Sequence, residues 1–127
     1  MRHAKYFDKD LYSKFHRKYE GIAMIDIDSV EICLNKGCWQ VLAVIEHLYD
    51  TGSTKKKYTN IVEQIGQALN VPVFLVYYKE ATADSLIFRV AQLYPIRTPI
   101  RPHSEAEWVD ILRQIQAKHQ KVCMYAK

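Results

Sequence analysis

The stretch Val41-Leu42-Ala43-Val44-Ile45-Glu46 decides the fold, because five apolar residues in a row end on a carboxylate. A strand that is apolar at every position is typical of a sheet that is covered on both faces. Strand alternation places Glu46 on the face of Val44 and Leu48 and turns His47 to the other face. A carboxylate is costly to bury unless it is paired, protonated or bound to a metal ion. Glu46 is therefore the first candidate functional residue.

The segments on either side of this strand predict a single α/β domain over residues 1–127 with a mixed central sheet flanked by helices. The expected elements are a helix over 8–19, strands over 22–25, 30–34 and 41–45, a helix over 58–69, strands over 73–78 and 86–93, and a helix after Ser104. Asn35-Lys36-Gly37 predicts a tight turn, and Ser104 with Glu107 predicts a capping box. Prolines break the chain before the last helix. This order, αβββαββα, places a helical crossover after a hairpin.

Further carboxylates stand upstream, where Asp26 and Asp28 end another apolar run and share one face of their strand. Carboxylates that converge from neighbouring strands offer oxygen ligands suited to Mg²⁺ or Mn²⁺. Such an ion can activate water and stabilise charge on a phosphodiester. The alternative interpretation is that Glu46 marks a strand end at the solvent and that the aspartates shape a turn.

The segment Ile25-Asp26-Ile27-Asp28-Ser29-Val30-Glu31, followed by a turn and Val44-Ile45-Glu46, resembles the PD-(D/E)XK nuclease superfamily. With the helix and strand that follow, the resemblance covers roughly residues 8–80. The members that it suggests are small restriction-endonuclease-like or resolvase-like proteins of phage or archaeal kind. It implies a restriction-endonuclease-like core that hydrolyses DNA through Mg²⁺ (or Mn²⁺). By resemblance, Asp28 is the hairpin aspartate and Glu46 the acidic residue of the third strand. Asp26 is the alternative to Asp28, and Glu20 is a further possible ligand.

Leu48 stands where the superfamily has its lysine, two residues after Glu46. The resemblance implies that a lysine from elsewhere replaces it, either Lys57 at the start of the crossover helix or, less favoured, Lys36. The superfamily also contains inactive members. Leu48 therefore favours an alternative function, a catalytically inactive nuclease-like fold that binds nucleic acid or protein as an accessory factor.

The crossover helix carries Gln64, and the resemblance implies that this glutamine lies near the metal or the DNA. We expect it on the sheet-facing side of the helix. The apolar face predicted for this helix consists of Tyr58, Ile61, Ile65 and Leu69. The alternative is that Gln64 is a border residue half exposed to water.

Basic side chains supply candidate contacts to DNA phosphates, in a chain whose formal net charge is +4. The candidates are Lys14, Arg17, Lys18, Lys55, Lys56 and Lys57. A solvated surface with no polyanionic partner would have a similar charge. Cutting both strands of DNA with 127 residues would be easiest as a homodimer.

The three cysteines and the termini predict a cytoplasmic protein, or one in the host cytoplasm if phage-encoded. The amino terminus is charged throughout, and the apolar runs are too short to cross a membrane. Cys33 and Cys38 flank the predicted turn and could approach each other. A zinc site needs two more ligands, and with no second CxxC or HxxxH pair we expect reduced packing thiols.

Overall fold

The structure, a computed structural model, describes residues 9–21, 23, 27–52 and 59–126. In chain order the elements are α1 (Lys9–Arg17), β1 (Ser29–Ile32), β2 (Val41–Tyr49), α2 (Asn60–Leu69), β3 (Val73–Thr82), β4 (Ser85–Tyr94), β5 (Arg101–Ser104) and α3 (Glu105–Gln120). The five strands form one sheet in the order β1-β2-β3-β4-β5. Only β2 and β3 are parallel neighbours among these pairs, and α2 makes the crossover between them. The predicted α/β class, with a mixed sheet flanked by helices, is confirmed.

Strand β2 is buried from residue 42 to residue 46, as expected for a strand covered on both faces. Ala43 and Ile45 pack on one face in the cluster that contains Trp108 of α3. Val44 packs on the opposite face in the cluster that contains Val62 of α2. Since side chains alternate along a strand, Glu46 belongs to the α2 face of the sheet.

Helix α2 meets the sheet with a face rotated from the predicted one. Its buried residues are Val62 and Gly66, and a Cβ added to Gly66 would overlap Cγ2 of Val73, so glycine permits the close approach of helix and strand. Of the predicted stripe, Ile65 packs against the sheet, two members are exposed and one lies outside the described residues. The pattern missed Gly66 because a glycine contributes no apolar side chain, although its backbone makes the closest contact.

The segment expected to be broken by prolines contains a strand. β5 pairs antiparallel with β4, with Pro102 opposite Arg89. Proline is tolerated there because β5 is an edge strand of the described sheet and needs hydrogen bonds on one side only. The capping box is confirmed, since Ser104 Oγ accepts from Glu107 N–H at 3.1 Å and Glu107 Oε1 accepts from Ser104 N–H at 2.7 Å.

The first predicted strand, over 22–25, lies mostly outside the described residues. The described chain therefore has the order αββαβββα in place of the expected αβββαββα. Within the described part of the chain, no other helix or strand packs against α1. No described helix combines the length and the apolar character needed to cross a membrane.

Candidate functional site

Asp28 and Glu46 lie opposite each other at one end of the β1–β2 ladder. Ser29 pairs with Ile45, so the next step of this antiparallel ladder places Asp28 across from Glu46. Directly opposite residues share a face of the sheet and have Cβ atoms about 5 Å apart. The carboxylate pair predicted from the sequence is therefore brought together by the strand register.

Backbone N–H groups hold both carboxylates in this position. Asp28 N–H donates to Glu46 Oε1 at 3.4 Å, and His47 N–H donates to Asp28 Oδ2 at 3.0 Å. Glu46 is only 3% exposed, whereas Asp28 is exposed. One carboxylate is thus buried in the sheet and the other borders solvent, so a ligand could reach the pair from the side of Asp28.

The Asp28 and Glu46 side chains both offer carboxylate oxygens, the type of ligand that Mg²⁺ and Mn²⁺ prefer. A divalent cation bound between them would offset the repulsion between the two negative charges.

Leu48, which occupies the position of the superfamily lysine, lies on the same face as Glu46 and is partly buried. The sheet register places Leu48 beside Tyr77 of β3, and Tyr77 beside Arg89 of β4. The Arg89 guanidinium stacks over the Tyr77 ring at 4.9 Å from its centroid. A cation therefore does lie on this face, two strands away from the position of the missing lysine.

The Arg89 guanidinium forms an ion pair with Asp50, the residue that follows β2. Nε and Nη2 of Arg89 donate to Oδ2 and Oδ1 of Asp50 at 2.8 and 3.1 Å. The hydrogen bonds from Arg89, together with Gly52 N–H, lower the pKa of Asp50 to about 2, and the same pair raises the pKa of Arg89. Asp50 was not among the functional residues predicted from the sequence. The structure shows it as a buried acid paired with an arginine from β4.

The other predicted site residues are placed as follows. Glu20 is exposed in the turn after α1. Gln64 is exposed on the side of α2 opposite Val62 and Gly66, so its expected sheet-facing position is wrong. The helix is rotated relative to the prediction for the reason given above. Asp26 and the three lysines Lys55, Lys56 and Lys57 lie outside the described residues.

Three predicted DNA contacts, Lys14, Arg17 and Lys18, are exposed on and just after α1. They share this segment with exposed aromatic side chains. The rings of Tyr12, Phe15 and Tyr19 contact one another in series at centroid distances of 5.5 and 5.7 Å.

From the sequence, a zinc site at Cys33 and Cys38 lacked two further ligands, and packing thiols were expected. The cysteines are free and pack with Leu42, but two further ligand-type side chains lie beside them. Cys33 and Cys38 lie next to His119 and Cys123. Burial raises the pKa of the Cys123 thiol, but hydrogen bonds from the Asn35 side chain, the Tyr125 N–H and the neighbouring thiols outweigh it, and the pKa falls to about 6. The signal in the sequence was the H-x₃-C spacing of His119 and Cys123, which complements the C-x₄-C of the turn.

Comparisons with protein-family models, with curated proteins and with solved structures found no match to this chain.

Proposed function

We propose that the protein is a metal-dependent endonuclease that hydrolyses phosphodiester bonds in DNA, with Asp28 and Glu46 as the ligands of Mg²⁺ or Mn²⁺. The observation that carries this proposal is the position of the two carboxylates across one step of the β1–β2 ladder. Each is held by a backbone N–H from the partner strand. Carboxylate oxygens from neighbouring strands are ligands suited to Mg²⁺ or Mn²⁺.

The order of elements around the pair supports a restriction-endonuclease-like core. A hairpin of β1 and β2 carries both acids, and α2 then crosses to the parallel strand β3. The resemblance to PD-(D/E)XK nucleases rests on this order together with a first strand over 22–25, which lies mostly outside the described residues. On this proposal the chain acts in the cytoplasm, or in the host cytoplasm if phage-encoded, and cleavage of both strands would be easiest as a homodimer.

On this proposal, the residues of the site have separate roles in metal binding and catalysis. Bound at this site, Mg²⁺ would supply a Lewis acid and an activated water for in-line attack at phosphorus. Glu46, fixed in the sheet, would set the position of the site, and the exposed Asp28 would face the incoming phosphate. Lys57 would supply the positive charge that Leu48 does not, and Lys55 and Lys56 would contact the DNA backbone. Lys36, the second choice from the sequence, lies in the turn at the opposite end of the β1–β2 pair and is too far away for this role.

The test is nicking of supercoiled plasmid in Mg²⁺, in Mn²⁺ and in EDTA. We expect cleavage that requires the divalent cation and falls about 100-fold or more in Glu46→Gln and in Asp28→Asn, because each loses a charged ligand. The matched control is Glu31→Gln. Glu31 pairs with Ala43 and so lies on the opposite face of the same two strands.

Cleavage that persists in Glu46→Gln would contradict the proposal. So would a wild-type protein that neither cuts DNA nor melts at a higher temperature in Mg²⁺ or Mn²⁺. Circular dichroism of each variant separates loss of the site from loss of the fold.

Leu48 favours a second candidate function, an inactive nuclease-like fold that binds nucleic acid or protein. Such a protein would bind Mn²⁺ at Asp28 and Glu46 without cutting DNA. Leu48→Lys would then create cleavage by restoring an amine at the motif position, whereas Leu48→Met, of similar size and no charge, would not. Cleavage by the wild-type protein would exclude this second candidate.

A further inference from the structure

Four soft ligand atoms meet where the β1–β2 turn contacts the end of α3. They belong to Cys33, Cys38, His119 and Cys123, and they all lie within 4.8 Å of one another. The sulfurs of Cys33 and Cys123 are 3.7 Å apart, and Cys38 Sγ is 3.6 Å from His119 Nε2. Zinc–sulfur and zinc–nitrogen bonds in a tetrahedral site place two sulfurs about 3.8 Å apart, and a sulfur and a nitrogen about 3.6 Å apart. These two distances in the cluster are therefore close to the edges of a zinc tetrahedron.

A tight turn positions the first two ligands. Cys38 N–H donates to Asn35 O at 3.1 Å and so closes the turn between the cysteines. Gly37 has a φ of +90°, a conformation that side chains rarely adopt, and the Tyr125 ring packs against it. The turn is thus held from outside by the segment that follows α3.

The end of α3 positions the other two ligands. His119 lies in the last turn of the helix and is 8% exposed. Val122 N–H donates to His119 O at 3.0 Å, which turns the chain so that Cys123 returns to the cluster. The Gln120 side chain accepts from Asn35 Nδ2 at 2.8 Å, so helix and turn are also joined beside the ligands.

Hydrogen-bond donors point at Cys33 and Cys123. Asn35 N–H donates to Cys33 Sγ at 3.4 Å, and Tyr125 N–H donates to Cys123 Sγ at 3.4 Å. Asn35 Nδ2 is a further donor to Cys123 Sγ at 3.2 Å, and Gln120 Nε2 is a further donor to Cys33 Sγ at 3.9 Å. N–H donors of this kind stabilise thiolates and orient them as ligands, which is the role that outer hydrogen bonds have around metal sites.

We propose that Cys33, Cys38, His119 and Cys123 bind a Zn²⁺ ion that fastens the end of α3 to the β1–β2 turn. Thiolate and imidazole ligands favour zinc over the hard cations Mg²⁺ and Ca²⁺. Four protein ligands leave no position for water or substrate, so the site is structural.

The zinc site is separate from the proposed nuclease site. The cysteines precede β2, whereas Glu46 stands near its far end, about 15 Å away along the strand. The two sites also differ in chemistry, since one offers sulfur and imidazole and the other offers carboxylate oxygen. Failure of either proposal therefore leaves the other untouched.

The primary test is the metal content of the full chain, purified without chelator in a non-thiol reductant. We expect about one zinc ion per chain by mass spectrometry of the metal. Replacement of zinc by Co²⁺ should give the visible bands of a tetrahedral ion and a near-ultraviolet thiolate-to-cobalt band. Removal of the metal should lower the Tm by about 10 °C or more, because binding energy at a structural site is folding energy.

Substitutions in the cluster test which side chains are the zinc ligands. Cys33→Ser and Cys123→Ser should weaken zinc binding about 100-fold or more. Asn35→Ala, which removes the side-chain donor to Cys123 Sγ and the hydrogen bond to Gln120, should weaken it about 10-fold. His119→Cys should keep zinc and strengthen the thiolate-to-cobalt band, a result that packing alone would not produce. The matched controls are Met124→Ser, at a 92% exposed neighbour of Cys123, and Lys36→Ala, at the exposed neighbour of Asn35.

Two results would overturn the proposal. One is a folded wild-type chain with reduced thiols that contains no zinc and takes up neither Zn²⁺ nor Co²⁺. The other is zinc bound with equal affinity by the wild type and by folded Cys33→Ser and Cys123→Ser. Because the wild-type measurement does not depend on any variant, a ligand variant that fails to fold does not remove the test.

Discussion

Glu46 and Asp50 are two buried acids at the same end of β2, and the protein surrounds them differently. Asp50 receives two hydrogen bonds from the Arg89 guanidinium, which brings a full positive charge. Glu46 receives a backbone N–H from Asp28. At the residue scale we assign Asp50 to stability, and on our proposal Glu46, with Asp28, binds the divalent cation.

Replacing Asp50 tests the first assignment. Asp50→Asn should lower the Tm by about 5 °C or more at neutral pH, because it leaves Arg89 without its carboxylate. The matched control is Asp84→Asn in the exposed β3–β4 turn, which should leave the Tm unchanged. Thermal unfolding followed by circular dichroism measures both.

The pH dependence of this effect follows from the pKa of Asp50. Its folded pKa of about 2 lies below the ordinary value of 3.8. The stabilisation is therefore fully present above about pH 4 and is lost as the pH falls towards 2. The wild type and Asp50→Asn should differ in Tm at pH 7 and converge near pH 2. A difference that stays constant across this range would contradict the assignment.

The positions of individual site residues were predictable only where they follow from the local sequence pattern. A carboxylate at the end of five apolar residues identified Glu46. Asp28 lies opposite it only because the ladder shifts by one residue between Glu31 and Ile32, an irregularity that the turn does not predict. His119 and Cys123 could not be joined to Cys33 in this way. The contact spans 90 residues of chain and depends on how α3 packs across the sheet.

Helix α2 makes its closest contact with the sheet at a glycine. Gly66 lies against Val73, and a Cβ at residue 66 would also lie 3.0 Å from the Val71 carbonyl oxygen. At the element scale this close approach sets the distance between the crossover helix and β3. The helix ends just beyond it, where Asn70 adopts a left-handed conformation with a φ of 56°.

The contact can be tested by adding one methyl group. Gly66→Ala should lower the free energy of unfolding by about 1–3 kcal/mol, because the buried backbone and Val73 must move apart. In an exposed helix the same change would stabilise, so the sign of the effect is diagnostic. The matched control is Gln67→Ala on the exposed side of α2, which should change stability by less than about 0.5 kcal/mol. Urea unfolding measures both, and a stabilised Gly66→Ala would contradict this packing.

Elements with a strong periodic pattern were predictable, and those that depend on tertiary pairing were not. β4 was expected over 86–93 and extends over Ser85–Tyr94. β5 was missed because Arg101–Ser104 contains a proline and is only four residues long, so its strand character comes from pairing with β4. The orientation of α2 was missed because its main contact residue has no side chain.

At the scale of the whole molecule, the β1–β2 pair has a group of potential metal ligands at each end. One end carries the carboxylates of Asp28 and Glu46, and the other carries the cysteines of the turn. α3 covers the sheet face opposite Glu46 and ends at the thiol cluster. On our proposals, zinc fixes the scaffold at one end while the carboxylates at the other end remain available to a second ion.

The two ends should respond separately to metals. Loss of zinc ligands should lower the Tm without changing which residues bind Mn²⁺, and Glu46→Gln should leave the zinc content unchanged.

The fold class was predictable because a strand β2 that is apolar on both faces requires a helix on each side. The group of cysteine and histidine side chains at the turn was not predictable, because these residues come together only when α3 packs against the turn.

Mn²⁺ binding to the zinc-loaded chain, measured by electron paramagnetic resonance, tests the central claim that Asp28 and Glu46 hold a divalent cation. We expect about one Mn²⁺ per chain in the wild type and in Glu31→Gln, and binding at least about 10-fold weaker in Glu46→Gln and Asp28→Asn. Equal Mn²⁺ affinity in the wild type and in folded Glu46→Gln would contradict the claim.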